Sequence, residues 1–327
     1  MQRRQTAQTM MRAVAIDQFG GPEVLKVQMI PVPDIEPGEV LIRVEWAGVG
    51  EWDPFERQGG YAQMLGLEPA FPYVLGSEGA GTIVAVGEQV SRFQAGDRVY
   101  AAGFLNPKGG FYAEYTGVDA SLVSPLPEPL TMAQAGVMSG IALTALRGLE
   151  DTLSLKSGEA VMIFGASGGI GHMAVQLAKQ MGTRVLAVAS GDDGVTLAAW
   201  LGADAVVDGR RADVLAAAKS FAPSGLDAAL LTAGGEAAAR ALGAMRAGGR
   251  VAYPNGVQPA PQPPFGGQLY SYNGEPDAEI LGRLNRLISA NRSFKVHIAQ
   301  TFSLEQAAAA HRALEEHYLG KIALRIR

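Results

Sequence analysis

The sequence has no cysteine among its 327 residues. This absence excludes disulfide bonds, thiolate nucleophiles and every metal site built on cysteine ligands. No apolar run approaches the roughly 20 residues needed to span a bilayer, so we expect no membrane segment. Basic residues are not in excess either, because the formal net charge is -5, and nucleic acid is therefore not an expected partner.

Hydrophobic residues make up 48% of the chain and charged residues 18%, a composition that can bury a large core. A chain of 327 residues is longer than one core usually serves, so two domains are expected. The first eleven residues carry Arg3 and Arg4 and no acidic residue. Since no apolar stretch follows, we interpret them as a tail or an upstream start, with an import signal as the alternative. A cytoplasmic location fits this composition.

The order of elements changes near the middle of the chain. Short strands broken by proline and glycine fill the first part up to Pro129 and predict an antiparallel, barrel-like domain. Residues 131–149 then have helical spacing. Beyond Glu159, apolar strands alternate with helical stretches, which predicts a parallel sheet covered on both faces, the doubly wound α/β design. Residues 304–319 predict a further helix and residues 321–327 a closing strand.

A glycine-rich turn joins the first apolar strand of this second part to a helix. Its residues are Gly165, Ala166, Ser167, Gly168, Gly169, Ile170 and Gly171. The pattern Ala166-x-Gly168-x-x-Gly171 matches the dinucleotide fingerprint with alanine in its first place. Glycine at 168 lets the backbone approach a pyrophosphate, and glycine at 171 lets the helix and strand close up. A simple tight turn is the alternative interpretation.

The identity of the dinucleotide depends on the end of the next strand. An NAD site normally has Asp or Glu there, whereas this chain has Ala189 and Ser190. The missing carboxylate leaves room for a 2′-phosphate, which Ser190 and Arg210, with Arg211 beside it, could bind. We therefore predict NADP(H) in preference to NAD(H), although arginines in a surface loop are often only solvated. Ala233 and Asn255 follow later strands, where open α/β sheets bind ligands.

Several segments have the order and spacing of one family. They are 11–14, 19–25, 37–44, the run Gly76-Ser77-Glu78-Gly79-Ala80-Gly81, 96–99, the cofactor turn, 201–204 and 320–324. Together they resemble the zinc-free quinone oxidoreductase branch of the medium-chain dehydrogenase/reductase superfamily. The resemblance covers the chain from Met11 to Ile326. It implies a GroES-like barrel and a Rossmann domain, with limits at 1–129, 130–265 and 266–327, the last segment returning to the barrel.

The resemblance also implies an activity. Members of this branch transfer a hydride from NADPH to quinones or activated alkenes, as homodimers joined through their cofactor sheets. Where zinc alcohol dehydrogenases have cysteine and Gly-His-Glu, this chain has Gly50 and Gly76-Ser77-Glu78, so no catalytic metal is expected. Gly194 and Gly209 replace a lysine and a tyrosine that help to hold the NADP phosphate in relatives, which weakens that assignment.

Neither residue pattern nor resemblance supplies a general acid, and the four histidines are interpreted as surface or capping residues. The resemblance places residues 49–61 beside the nicotinamide. Its candidates for the small-molecule substrate are Trp52, Asp53 and Tyr61. Core or rim packing is the alternative for Trp52 and Tyr61, and a helix cap is the alternative for Asp53. Thr144 matches a threonine near the nicotinamide amide, or is a buried helical residue. The prediction is an NADPH-dependent quinone or enone reductase. An enoyl-thioester reductase and a non-enzymatic NADPH-binding protein are the alternatives.

Overall fold

The computed structural model describes residues 9–262 and 266–327. The chain forms two compact units in it. The first contains the amino-terminal part through Ser139 together with Ile298–Arg327, and the second is Gly140–His297. The predicted tail falls largely on residues 1–8, and the predicted domain limit at Phe265 also lies outside the described residues. The domain limits drawn from the sequence therefore stay a prediction.

The first unit is built mainly from strands, because glycine and proline interrupt its apolar runs at short intervals. Its amino-terminal strands are β1 (Met10–Ile16), β2 (Lys26–Pro31), β3 (Glu39–Val49), β4 (Tyr73–Val74), β5 (Glu78–Val86), β6 (Arg98–Ala102), β7 (Tyr115–Asp119) and β8 (Val123–Pro125). Its short helices are α1 (Trp52–Arg57), α2 (Gly60–Leu65) and α3 (Met132–Gly136).

Strand β3 is the centre of this unit. Val40, Ile42 and Val44 are fully buried and alternate with half-buried residues, the period of a strand with one face in a core. It pairs antiparallel with β5 and β7. The β3–β5 pairing needs glycine at position 81, since a Cβ there would lie 2.0 Å from the carbonyl oxygen of Arg43. The register places the start of β5 beside the end of β3, with Gly79 opposite Ala47.

The second unit alternates strands and helices. It contains α4 (Ser139–Leu146), a π-helical turn (Arg147–Thr152), β9 (Ala160–Phe164), α5 (Gly169–Gln180), β10 (Arg184–Ala189), α6 (Gly191–Trp200), β11 (Ala205–Asp208), α7 (Val214–Phe221), β12 (Leu226–Leu231), α8 (Glu236–Ala241), β13 (Met245–Pro254), β14 (Gln268–Tyr272) and α9 (Ala278–Ala290). Residues 131–149, which have helical spacing in the sequence, form two separate helices, α3 and α4, and the start of the π-helical turn.

The strands of the second unit form one parallel sheet in the order β11-β10-β9-β12-β13-β14. The chain runs from β9 outward through β10 and β11, then returns to the other side of β9 with β12. This reversal creates a switch point at the carboxyl ends of β9 and β12. Ligands of open α/β sheets bind at such points.

The chain then returns to the first unit through β15 (Ile298–Ser303), α10 (Ala307–Ala313) and β16 (Lys321–Arg325). Strand β16 pairs antiparallel with β3, with Leu324 opposite Ala47, so the predicted closing strand is confirmed. The predicted α/β fold class, with a mostly antiparallel strand domain and a doubly wound parallel sheet, is also confirmed. Among the described residues, no helix combines the length and apolar character required to cross a bilayer.

Candidate active site

The glycine-rich turn lies at the switch point of the second unit, between β9 and α5. Gly165 has a φ of +82°, a conformation that side-chain-bearing residues rarely adopt, and its carbonyl accepts a hydrogen bond from the Gly168 N–H at 3.1 Å. A Cβ on Gly171 would lie 2.0 Å from the Gly165 oxygen. Glycine at 171 is therefore a packing requirement of the turn itself.

Gly168 differs from Gly171. A Cβ added at Gly168 would meet only the Gly165 oxygen, at 3.4 Å, so the backbone there faces open space. The next residue begins α5, whose first turn supplies N–H groups that no helical carbonyl accepts. Open space over a glycine at a helix N-terminus is a cradle for a phosphate group. The observed turn thus fits the pyrophosphate of a dinucleotide.

The other predicted cofactor residues lie at strand ends or on α4. Thr232, which precedes Ala233, donates its hydroxyl proton to the Phe164 carbonyl at 2.8 Å, so the end of β12 is tied to the turn. The side-chain amide of Asn255 donates to Asn273 at 2.7 Å. The hydroxyl of Thr144 donates to the Gly140 carbonyl at 2.7 Å, within its own helix. In the described structure each of these side chains thus has an internal contact.

Ser190 lies between the end of β10 and the start of α6, where its side chain makes no capping hydrogen bond. Asp208, at the end of the neighbouring β11, accepts hydrogen bonds from the N–H groups of Arg210 at 3.0 Å and Gly191 at 3.4 Å. These bonds lower the pKa of Asp208, the bond from Arg210 having the larger effect. The sequence reasoning missed this carboxylate, because Asp208 is close to Ser190 only through the pairing of β10 with β11.

The two arginines that follow β11, Arg210 and Arg211, differ in their contacts. Arg211 pairs with Asp192 at 2.7 Å and approaches Asp208 at 3.5 Å. Arg210 is exposed, and its side chain forms no ion pair within the described chain. At position 194 this chain has glycine where relatives have lysine. A Cβ at Gly194 would lie 2.9 Å from the hydroxyl oxygen of Ser167. Ser167 therefore occupies space that a lysine at 194 would need.

On the first unit, the predicted substrate residues lie on α1 and α2. Asp53 is fully buried, and its Oδ2 accepts the N–H of Gly50 at 2.7 Å and the hydroxyl of Tyr112 at 2.9 Å. Its other oxygen, Oδ1, has no hydrogen-bond partner in the described structure. Burial raises the pKa of Asp53 to about 6. This carboxyl group can therefore hold a proton well above its ordinary range.

Trp52 lies over a buried cation. The Lys321 ammonium is 4.5 Å from the centre of the Trp52 ring and 2.7 Å from Oε1 of Glu78, although that ion pair lacks hydrogen-bond alignment. Both charged side chains are at most 3% exposed. A Cβ on Gly50 would lie 2.6 Å from the indole. The ring thus takes the space that a side chain at position 50 would fill.

Tyr61 belongs to an aromatic cluster. Its ring meets the rings of Phe55 and Phe104 edge to face, with centroids 4.7 Å and 4.9 Å away. Phe55 and Phe104 are both exposed, so the cluster presents an apolar surface on the first unit. Burial is the main cause that raises the pKa of the Tyr61 hydroxyl, so it stays protonated at neutral pH.

The structure corrects the interpretation of two histidines as surface residues. His172 is buried in α5, with its Nδ1 2.9 Å from the Gly168 carbonyl. His311 is buried in α10, 2.8 Å from Arg57 and 3.2 Å from Tyr112. A sequence signal did exist for His311, because it shares one helical face with the buried residues Ala307, Ala310 and Leu314.

A glycine cradle on a parallel sheet, joined in sequence to a GroES-like unit, defines a nicotinamide-dependent dehydrogenase or reductase. Comparison with protein families agrees with this class. Residues 36–128 match the alcohol dehydrogenase GroES-like domain, and residues 169–265 match the zinc-binding dehydrogenase family. Among the described residues, no group of three or more His, Asp or Glu side chains is placed to hold a metal ion.

Similarity to individual proteins indicates which type of dehydrogenase or reductase this chain is. The rat quinone oxidoreductase is 33% identical over 318 residues, which cover 94% of each chain. The structure of a quinone oxidoreductase from Coxiella burnetii has a TM-score of 0.82 and 27% identity, and covers 98% of this chain and all of its own. A mycobacterial protein complexed with NADPH has a TM-score of 0.79 and 27% identity, over 97% of this chain and all of its own. The chain belongs to the quinone oxidoreductase type of the medium-chain dehydrogenase/reductase superfamily and is an NAD(P)H-dependent oxidoreductase.

Proposed function

We propose that this protein is an NADPH-dependent reductase that transfers a hydride to a quinone or enone without zinc. The observation that carries the proposal is the Lys321 ammonium, buried against Glu78 beside Gly50 and Trp52. A metal-dependent relative would need ligands at positions 50 and 77. Here position 50 has no side chain. The positive charge of Lys321, held beside Glu78, would repel a second cation.

The reduced nicotinamide supplies the hydride when the cofactor is bound. The residues proposed to hold the cofactor are Thr144, Ala166, Ser167, Gly168, Gly169, Ile170, Gly171, Ser190, Arg210, Ala233 and Asn255. On the first unit, Trp52, Asp53 and Tyr61 are proposed to contact the acceptor. The exposed edge-to-face cluster of Tyr61, Phe55 and Phe104 suits a flat, apolar ring, because aromatic faces and edges stack favourably on such rings.

The function is tested by NADPH oxidation with a panel of simple quinones and enones, with and without a chelator. We expect turnover that the chelator leaves unchanged. Loss of activity on chelation would contradict the zinc-free chemistry. Activity confined to acyl thioesters would identify an enoyl-thioester reductase instead. NADPH binding without hydride transfer to any acceptor would indicate a non-enzymatic dinucleotide-binding protein.

The preference for NADP(H) is supported by the missing carboxylate at Ser190 and by Arg210, which is exposed and follows β11, the strand paired with β10. Asp208 opposes a 2′-phosphate electrostatically, so Arg210 has to provide the compensating charge. Replacing Arg210 with alanine is expected to weaken NADPH binding about tenfold, the loss of one charge-assisted contact of roughly 1.4 kcal/mol. NADH binding should hardly change.

The measurement is tryptophan-to-nicotinamide energy transfer, titrated with NADPH and NADH in parallel. Lys219→Ala is the matched control, because Lys219 is in the last turn of α7, away from the strand carboxyl ends. Equal losses of NADPH and NADH affinity in Arg210→Ala would show that Arg210 does not contact the 2′-phosphate. A wild-type protein that prefers NADH would overturn the cofactor assignment itself.

A homodimer is proposed as well. Strand β14 pairs with β13 and ends the described parallel sheet, so its other edge can pair with a second copy. Tyr270 on β14 is 39% exposed, an apolar ring that such pairing would cover. Sedimentation analysis would show a monomer if the proposal is wrong.

A cytoplasmic location is proposed from the composition and is open to test by cell fractionation.

A further inference from the structure

A buried histidine joins the glycine-rich turn to a distant segment of the second unit. The side chain of His172, near the start of α5, is fully buried. Its Nδ1 lies 2.9 Å from the carbonyl oxygen of Gly168, and its Nε2 lies 3.3 Å from the backbone nitrogen of His297, the last residue of the same unit. One ring therefore contacts both the cradle glycine and a segment 125 positions later in the chain.

Both contacts require the same form of the ring. A backbone N–H can only donate, so Nε2 of His172 accepts from His297. A carbonyl oxygen can only accept, so Nδ1 of His172 donates to Gly168. The two partners thus assign one structure independently, the neutral ring with its proton on Nδ1. The other tautomer would place a lone pair against the Gly168 oxygen and an N–H against the N–H of His297.

The segment that contains His297 is itself bound to α5. Gln176, one helical turn after His172, accepts the N–H of Lys295 at 2.8 Å and donates to the carbonyl of the same residue at 2.8 Å. The neighbouring Phe294 is fully buried. The N–H that selects the tautomer of His172 therefore belongs to a backbone with its own fixed contacts.

The consequence falls on the first peptide group of α5. The carbonyl oxygen of Gly168 accepts two hydrogen bonds, from the backbone N–H of His172 at 3.0 Å and from its Nδ1 at 2.9 Å. A peptide group is planar and trans, so this carbonyl and the N–H of Gly169 point in opposite directions. Holding the carbonyl toward the helix directs the Gly169 N–H out of its amino-terminal end. Within the described structure that N–H has no acceptor.

We propose that His172 is a positioning residue for the cofactor, because it fixes the N–H of Gly169 as a donor to the pyrophosphate. The inference rests on the proposed dinucleotide site. A donor whose direction is set before binding needs no ordering when the ligand arrives, so it contributes more to affinity. The backbone of His297 contributes by selecting the tautomer that can donate to Gly168.

Two substitutions separate the two nitrogens of the ring. Asparagine has its amide nitrogen near the position of Nδ1, so His172→Asn retains a donor to Gly168 and loses the acceptor for His297. Glutamine has its side-chain oxygen near the position of Nε2, so His172→Gln retains the acceptor and loses the donor. Each variant leaves one buried backbone group without its bond, so we expect both to lose stability, and binding is the measurement that distinguishes them.

His172→Gln is expected to weaken NADPH and NADH binding equally, by roughly fivefold, the scale of one hydrogen bond. Both dinucleotides contain the pyrophosphate, whereas Arg210→Ala should affect NADPH alone. His172→Asn should bind both within about twofold of the wild-type affinity. Energy transfer to the nicotinamide measures the binding, and thermal unfolding without cofactor measures the fold.

Thr183→Val is the matched control. It removes another buried side-chain donor to a carbonyl of α5, that of Ala178 at 2.8 Å, at the opposite end of the helix. Its affinity for both dinucleotides should equal that of wild type.

Equal losses of affinity in His172→Asn and His172→Gln would overturn the role of Nδ1, because the loss would then follow from removal of the ring. Unchanged affinity in His172→Gln, with wild-type protein that binds NADPH, would overturn the inference and leave the proposed function intact. Wild-type protein that binds neither dinucleotide would overturn the proposed cofactor site.

The tautomer is measured separately, in the protein without cofactor. Long-range nitrogen–proton NMR correlations of the His172 ring, assigned with His172→Asn, should show the proton on Nδ1. A proton on Nε2 would overturn the assigned directions of both hydrogen bonds, whether or not the protein binds a dinucleotide.

Discussion

Replacing Lys321 with methionine is expected to destabilise the first unit by about 3–5 kcal/mol, because it leaves Glu78 buried without its cation. Methionine keeps much of the lysine volume, so the expected loss is mainly electrostatic. Glu78 has little means of relaxation, since Gly48 is so close that a Cβ there would lie 2.3 Å from Oε1. Its other oxygen, Oε2, accepts the Ser139 hydroxyl at 3.2 Å.

The measurement is urea unfolding followed by tryptophan fluorescence. In a Trp200→Phe background the remaining tryptophans, Trp46 and Trp52, both belong to the first unit, so the signal reports that unit alone. The double variant Glu78→Gln/Lys321→Met removes both charges and should recover most of the loss. Lys26→Met, at an exposed position, should change the free energy by about 0.5 kcal/mol or less. Unchanged stability in Lys321→Met would refute a stabilising ion pair.

Alanine at Gly168 is expected to leave the protein folded and to weaken its cofactor binding. The added methyl group meets only one protein atom, at 3.4 Å, so the second unit loses little stability. The same methyl group enters the space proposed for the pyrophosphate, so binding should weaken by at least about tenfold, or 1.4 kcal/mol. Energy transfer to NADPH measures the binding, and thermal unfolding without cofactor measures the fold.

Alanine at Gly171 is the matched comparison. Its methyl group would lie 2.0 Å from the Gly165 oxygen, a backbone atom that cannot move aside without opening the turn. We expect a loss of stability of about 1–3 kcal/mol or more even without cofactor, together with weaker binding. Equal stability losses in the two variants would contradict the distinction between a ligand-facing and a packing glycine. Full NADPH binding by Gly168→Ala would place the pyrophosphate elsewhere.

Much of the second unit could be predicted from local sequence. The apolar run of β9, the glycine turn and the apolar stripe of α5 are adjacent in the chain, and neighbouring residues determine each of them. The predicted closing strand was equally local. Local pattern was less reliable where packing sets the ends of elements. The helix predicted over residues 304–319 is shorter in the structure, where a 3-10 turn at Leu304–Gln306 leads into α10, which ends at Ala313, and residues 315–317 beyond it are exposed.

The glycine cradle, the class of fold and the lack of metal-ligating cysteine are what the sequence by itself determined, because each depends on residue type or on short spacing. Only the tertiary structure decided which charges meet. It placed Asp208 beside Gly191, Lys321 against Glu78, and His311 within reach of Arg57, which is 254 positions earlier in the chain. Burial then sets the protonation of such groups, and burial depends on contacts between distant segments that no local periodicity encodes.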